Sequence, residues 1–216
     1  MDIYGFPGLP VRPAAGDSIR QVDASPAEFW GWISLLVAFT HVPFDQLERA
    51  GQQILDHIPT ISAELWEQLS RIEPSRDGET EYRPARVQLS DGTARDPVVF
   101  ADADQWTRIW SFAANIESSV AIEDIRRIEE THDRLPPEIA NRLYQAGESA
   151  MGGTFFTVTL ADGRRFAVGT GNQVDIVRLP DGVTPDMIIE VVPHDQGEGL
   201  PTLETPDLVW CLYRRV

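Results

Sequence analysis

Apolar positions recur at helical spacing through the first third of the chain and alternate at strand spacing through the last. The first strong start signal is Ser25-Pro26-Ala27-Glu28: a capping serine, a proline in the first helical position and a glutamate three residues after the cap. The segment behind it carries Phe29, Trp30, Trp32, Ile33, Leu35, Leu36, Val37 and Phe39, which cover nearly every face of a helix. Pro43 opens a second helical pattern through Phe44, Leu47, Ile54, Leu55 and Ile58. Ser62 opens a third, with Leu65, Trp66, Leu69 and Ile72 on one stripe. Residues 73–81 contain no apolar side chain except Pro74, so the pattern predicts a linker across 74–84.

Beyond that linker the period shortens toward two. Val87 and Leu89 lead to Asp91-Gly92, and Val98-Val99-Phe100 follow, which predicts a hairpin. Asp102 with Gln105 three residues on predicts a capped helix through Trp106, Ile109, Trp110 and Ala113. The spacing of Ile122, Ile125 and Ile128 predicts further helical turns, and Pro136-Pro137 start a helix that Gly147 closes. A second hairpin is predicted at Asp162-Gly163, between Phe156/Val158/Leu160 and Phe166/Val168, through a two-residue type I′ turn. Val174, Ile176, Ile188-Ile189, Val191-Val192 and Leu208 to Tyr213 supply the remaining strands. The two hairpins echo one another, as Val87-Gln88-Leu89-Ser90-Asp91-Gly92 and Val158-Thr159-Leu160-Ala161-Asp162-Gly163. Their flanks do not match, so the echo reads as a coincidence of hairpin chemistry. The expected fold class is α+β: an extended arm over 1–24, a helical subdomain over 25–73, a linker over 74–84, and an α+β domain of mixed helix and mostly antiparallel sheet over 85–216.

Charge narrows the functions available. The 216 residues hold 34 acidic and 18 basic side chains, a formal net charge of −16. Such a surface repels nucleic-acid phosphates and anionic membranes and attracts basic proteins. Every basic residue is arginine; there is no lysine. That removes the phosphate-binding lysine of a Walker A loop, the kinase strand lysine and any Schiff-base chemistry. With Ala, Gly and Pro abundant, the lysine-free composition fits a GC-rich bacterial genome. The single cysteine, Cys211, allows neither an intrachain disulfide nor a cysteine-based zinc site. The amino terminus lacks a signal-peptide pattern and the longest apolar run is too short to span a bilayer, so the expected location is cytoplasmic.

The catalytic constellations are weak. Gly147-Glu148-Ser149-Ala150-Met151 has a methionine where a nucleophile elbow needs its second glycine, although Asp175 and His194 would complete a Ser, Asp, His order. Gly169-Thr170-Gly171 lacks the third glycine of a dinucleotide fingerprint. His41, His57, His132 and His194 lie far apart; His194-Asp195 between Glu190 and Glu198 is the best metal-ligand set the sequence offers. Asp102-Ala103-Asp104 lacks the rest of a calcium loop, and Cys211 sits inside an apolar run.

No motif assigns the chain to a family. No catalytic residue, cofactor or metal is expected. The expected function is a non-enzymatic acidic protein-binding module, such as a bacterial adaptor or an immunity-type inhibitor, whose partner presents a basic surface. Neither nucleic acid nor membrane is an expected partner. Two features nominate its binding residues. The interval from Asp181 to Asp207 holds seven carboxylates and no basic residue, and Asp195, Glu198 and Glu204 stand for it. Trp30 and Trp32, two apart, point to separate faces of one helix, so at least one is free to anchor a partner. A small metal-dependent or Ser/His hydrolase is the alternative.

Overall fold

The computed structural model describes residues 58–110, 119–171 and 173–215. Among the described residues 41% are strand and 19% helix, with largely antiparallel sheets, so the fold is α+β. The first helix, α1 (Ala63–Leu69), starts where the pattern places it: the Ser62 hydroxyl accepts a hydrogen bond from the Leu65 amide. Leu65 and Leu69 turn into the core. At about 1.5–3 kcal/mol for each fully buried leucine, their burial rather than intrinsic propensity holds so short a helix.

Residues 74–84, expected as a linker, instead form a hairpin. β1 (Ser75–Asp77) pairs antiparallel with the start of β2 (Thr80–Leu89) across Gly78, whose φ is +59°. The buried side chains within 73–81, Ser75 and Thr80, are polar, so hydrophobic patterning cannot detect β1. Nor do residues 58–73 stand apart from the sheet region, because α1 packs against β2 and its neighbours through Ala85, Val87 and Ile128. The arm at 1–24 and the helices expected over 25–57, with Trp30 and Trp32, lie outside the described residues.

The first sheet runs β1-β2-β3-β8, with β3 at Ala94–Asp102 and β8 at Trp210–Tyr213. β4 (Ile125–Glu130) also pairs with β2, beyond β1. β8 lies parallel to β3, while the other pairs in this sheet are antiparallel. Between β3 and β4 stands α2 (Ala103–Trp110), capped as expected by the Asp102 carboxylate, which accepts from the Asp104 and Gln105 amides. The second sheet runs β6-β5-β7, all antiparallel, with β5 at Thr154–Leu160, β6 at Arg165–Thr170 and β7 at Ile188–Pro193. α3 (Pro137–Ala146) covers it, closed by Gly147 at φ +79°.

The echo between the hairpins extends far beyond six residues. In each unit the leucine closing the central strand donates to, and accepts from, a three-residue loop: Leu89 with Thr93 and Gly92, Leu160 with Arg164 and Gly163. The glycines adopt φ +88° and +84°, while neither loop aspartate has a positive φ. The turn is therefore a type I turn with a glycine bulge, not the expected type I′. Asp91 and Asp162 accept from the amides two residues on, of Thr93 and Arg164.

Each unit then supplies a short 3₁₀ helix, Ile122–Asp124 or Pro185–Met187, leading into a third strand. The residue after each closing leucine donates to its last carbonyl, Ser90 to Asp124 and Ala161 to Met187. Val87 faces Ile128 and Leu89 faces Ile125; likewise Val158 faces Val191 and Leu160 faces Ile188. Both third strands skip one residue in the ladder, Arg126 in β4 and Ile189 in β7. That bulge changes the spacing of buried residues from two to three. It is why Ile125 and Ile128, expected on a helix, lie instead on a strand.

The carboxyl-terminal segment joins the units. It runs parallel to β6, where the Ala167 amide donates to Pro201 and the Leu203 amide to Ala167, and then parallel to β3 as β8. Each unit has its own apolar cluster, centred on Val87, Phe100 and Ile128 in the first and on Phe156, Val158 and Leu143 in the second. A third cluster, Tyr82, Trp106, Ile176 and Trp210 with Tyr144 against it, fills the seam. Its rings meet at centroid distances of 5.7–5.8 Å.

Candidate interaction surface

The seam contains a buried polar cluster centred on Asp175. Asp175 is fully buried and accepts hydrogen bonds from the Ser75 hydroxyl, the Tyr144 hydroxyl and the Gln173 side-chain amide. Ser75 comes from β1 of the first unit and Tyr144 from α3 of the second, so the carboxylate bridges both. Burial pushes Asp175 above the usual carboxylate range, although the hydrogen bonds from Ser75 and Tyr144 and the charge of Arg134 oppose the shift. Burial, and then the Asp175 charge, push the Tyr144 hydroxyl well above its ordinary value. Arg134, 7% exposed, donates to the carbonyls of Leu135 and Glu73. Ser75 and Asp175 are both 0% exposed, so this cluster has no access for a substrate and acts as a structural tie.

The Ser, Asp, His order does not assemble around it. Ser149 donates to the Phe155 carbonyl and accepts from the Phe155 amide. His194 sits on the surface in the left-handed region at φ +61°, with Nε2 3.2 Å from the Ala146 carbonyl. Asp175 is committed to Ser75, Tyr144 and Gln173. Among the described residues no group of three or more His, Cys, Asp or Glu side chains is placed to hold a metal ion. Burial drives the Cys211 thiol far above its usual value, which leaves it a small core hydrophobe.

The acidic interval supplies the 3₁₀ helix at 185–187, then β7 of the second sheet, and then an irregular strap along that sheet. Asp195 turns the chain after β7 by accepting from the Gly197 amide. That bond, with the Thr157 hydroxyl, holds Asp195 below the ordinary carboxylate range. Gly197 then lies so close to the sheet that a Cβ there would meet Thr157 Oγ1 at 2.8 Å and Ala167 Cβ at 2.9 Å. The strap is thus pinned, and it holds its side chains outward. Asp181, Asp186, Glu190, Glu198, Glu204 and Asp207 are all exposed.

Two nominated carboxylates have arginines from elsewhere nearby. Arg165 of β6 stands 3.8 Å from Asp195, and Arg178 stands 3.6 Å from Glu204. Both pairs are solvent-exposed and weak. Glu198 has no ion pair among the described residues. The interval therefore carries less uncompensated charge than its own composition suggests, but it remains negative.

Sequence reasoning missed an apolar feature beside the strap. The exposed large hydrophobic side chains among the described residues are Met151, Ile189 and Val192, and the last two lie on β7. A signal was available, because Ile188-Ile189 and Val191-Val192 put apolar residues on both sides of a strand that buries one face. A hollow of about 70 Å³ lies beside β7, lined by Ile139, Arg142 and Leu143 of α3 and by Val191 and Pro193. A larger groove of about 430 Å³ lies between Thr60–Leu65 and Ile122–Arg126, lined by Glu64 and Glu123 as well as Leu65 and Ile125. No helix among the described residues is long and apolar enough to cross a membrane. Comparison with known proteins returns no match among family models, curated proteins or solved structures.

Proposed function

We propose that this chain is a non-enzymatic protein-binding module whose partner presents a basic surface, in the manner of a bacterial adaptor or an immunity-type inhibitor. The observation that carries the reading is the pinned strap. Its exposed carboxylates lie on backbone fixed by Gly197 against Thr157 and Ala167 rather than on a free tail. A preorganised negative surface raises the rate of encounter with a positive one and costs little ordering entropy on binding. The sealed environment of Asp175 adds support, since this buried carboxylate serves the fold. Trp30 and Trp32 remain the proposed apolar anchors in the amino-terminal part.

The test is kinetic. A partner captured from the native host is measured for association at low and high salt, with the wild type and with Asp195→Asn, Glu198→Gln and Glu204→Gln combined. The association rate of the wild type should fall on the order of tenfold between the two salt conditions, and neutralisation should flatten that dependence. A rate that ignores both salt and neutralisation removes the strap from the interface. Trp30→Ala and Trp32→Ala should instead speed dissociation.

A further inference from the structure

The internal repeat allows one unit to serve as the control for the other. Superposing the registers, Arg126 of β4 occupies the bulge position of Ile189 in β7, Glu129 corresponds to Val192, and Glu130 to Pro193. Ile125 and Ile128, the buried pair of β4, correspond to Ile188 and Val191. The first unit therefore folds with charged side chains at the positions where β7 exposes isoleucine at 64% and valine at 37%. The architecture does not require apolar residues there, and their exposure to water is unfavourable.

The backbone of β7 agrees. Among the described residues β7 pairs only with β5. The His194 amide donates to the Phe155 carbonyl, so alternation directs Glu190 and Val192 toward β5 and turns the Val191 amide and carbonyl outward. Pro193 and the bulge at Ile189 confine the free ladder to the neighbourhood of Val191. Any added strand is thus short, with its affinity carried by side chains.

Charge selects the occupant. Asp186 precedes β7, Glu190 lies within it, and Asp195 follows it. A second copy of this chain would bring the same carboxylates together, each copy carrying a formal −16. The hollow beside Val191 is apolar apart from Arg142, so it takes an aliphatic side chain and rejects a cationic one. The opposite face of β7 presents Glu190. We infer that β7 docks a short extended segment of a basic partner by strand addition, with aliphatic side chains toward α3 alternating with arginine or lysine whose apolar stems cover Ile189 and Val192 and whose charges meet Glu190. This inference rests on the protein-binding reading above and names where and how that binding occurs.

The probe is a synthetic peptide of alternating valine and arginine, with an alternating valine–glutamate peptide as control, titrated by fluorescence anisotropy. The decisive variant is Ile189→Arg combined with Val192→Glu. It installs the side-chain types that the first unit already carries, and it leaves net charge unchanged. Wild type should bind the arginine peptide and not the glutamate peptide, and the double variant should weaken binding at least roughly tenfold. Amide exchange at Val191 should slow in wild type when the arginine peptide is added, a readout that needs no variant. Unweakened binding by the double variant, or unchanged exchange at Val191, overturns the inference. If the triple neutralisation of the strap still weakens binding in that case, the protein-binding reading survives without β7. If neither set of substitutions changes binding of the peptide or of the captured partner, both readings fall. A chain that sediments as a dimer and is made monomeric by the double variant overturns the choice of occupant.

Discussion

Replacing Asp175 with alanine removes a group that three donors from two units share. The Ser75 hydroxyl, the Tyr144 hydroxyl and the Gln173 amide each lose an acceptor inside a dry seam. A buried donor left unpaired costs about 1–3 kcal/mol, and three donors lose their acceptor at once. These losses overlap because the side chains relax together, so Asp175→Ala should cost about 4 kcal/mol. That is a large share of the roughly 5–15 kcal/mol that stabilises a protein, and it corresponds to a fall in Tm of about 10 °C. Asp175→Asn should behave differently. Gln173 Oε1 has no hydrogen-bond partner, so a flipped Gln173 can accept from the new amide, the Tyr144 hydroxyl can accept the amide's second hydrogen, and Ser75 can keep donating to its oxygen. The asparagine variant should lose no more than about 1 kcal/mol.

The pH dependence follows from the raised value of Asp175. A carboxyl group that binds its proton more tightly when folded stabilises most below the unfolded value, near 3.8, and that contribution disappears as pH rises through the folded value. The stability difference between wild type and Asp175→Asn should therefore move in favour of wild type as pH falls toward 3.8. Urea unfolding of the three proteins across pH provides the measurement. Alanine and asparagine variants of equal stability, or an alanine variant within about 1 kcal/mol of wild type, would refute the role of Asp175 as a shared acceptor.

Other consequences are equally direct. Gly163→Val should cost on the order of 1–2 kcal/mol through backbone strain alone, since a Cβ at φ +84° meets no atom within 4 Å; Gly163→Asn should recover part of that loss in the same thermal melt. Gly169→Ala should destabilise by a different route, because its Cβ would stand 2.9 Å from the Phe155 ring, and Phe155→Leu should relieve it in a double-mutant cycle. Burial pushes Glu81 up, but Arg83 and Arg76 outweigh it and hold the group below 4.5. Glu81→Gln should therefore cost about 1 kcal/mol at neutral pH, with the difference from wild type shrinking as pH falls below 4.5 in chemical denaturation. Cys211, fully buried, should resist a thiol reagent in the native protein and react once denaturant is added; rapid native labelling would show that β8 opens locally.

The elements legible in the sequence are those whose information is local. Ser62, Asp102 and Pro136-Pro137 mark helix starts through chemistry confined to one turn, and Asp91-Gly92 and Asp162-Gly163 mark reversals in the same way. Three features were illegible for a shared reason: their meaning is set by distant partners. The 74–84 hairpin buries a serine whose acceptor lies a hundred positions along the chain. The bulges at Arg126 and Ile189 give strands a helical spacing of buried residues. The repeat was visible only as a six-residue echo, because register and hydrogen bonding are shared where side chains are not. As for the proposed interface, the acidic interval was legible from its charges, whereas β7 emerged as a candidate only when β4 showed which side chains its position tolerates.

The parallel course of the carboxyl-terminal segment along β6 and then β3 has a consequence for how the chain acquires its structure during synthesis. Both sheets take an edge from residues 201–213. A nascent chain that has emerged only as far as α3 and β7 holds two hairpins whose outer edges, at β6 and β3, are still open. Closing the β3 edge pairs Val99 with Trp210 across most of the described sequence, and such long-range pairings form slowly. Until then, two unpaired edges face the crowded surroundings of the ribosome, where strands of other chains can add to them. A product stopped before Pro201 keeps both edges open permanently. The interval between the emergence of β7 and that of residues 201–213 is therefore the period in which the chain is most open to strand addition.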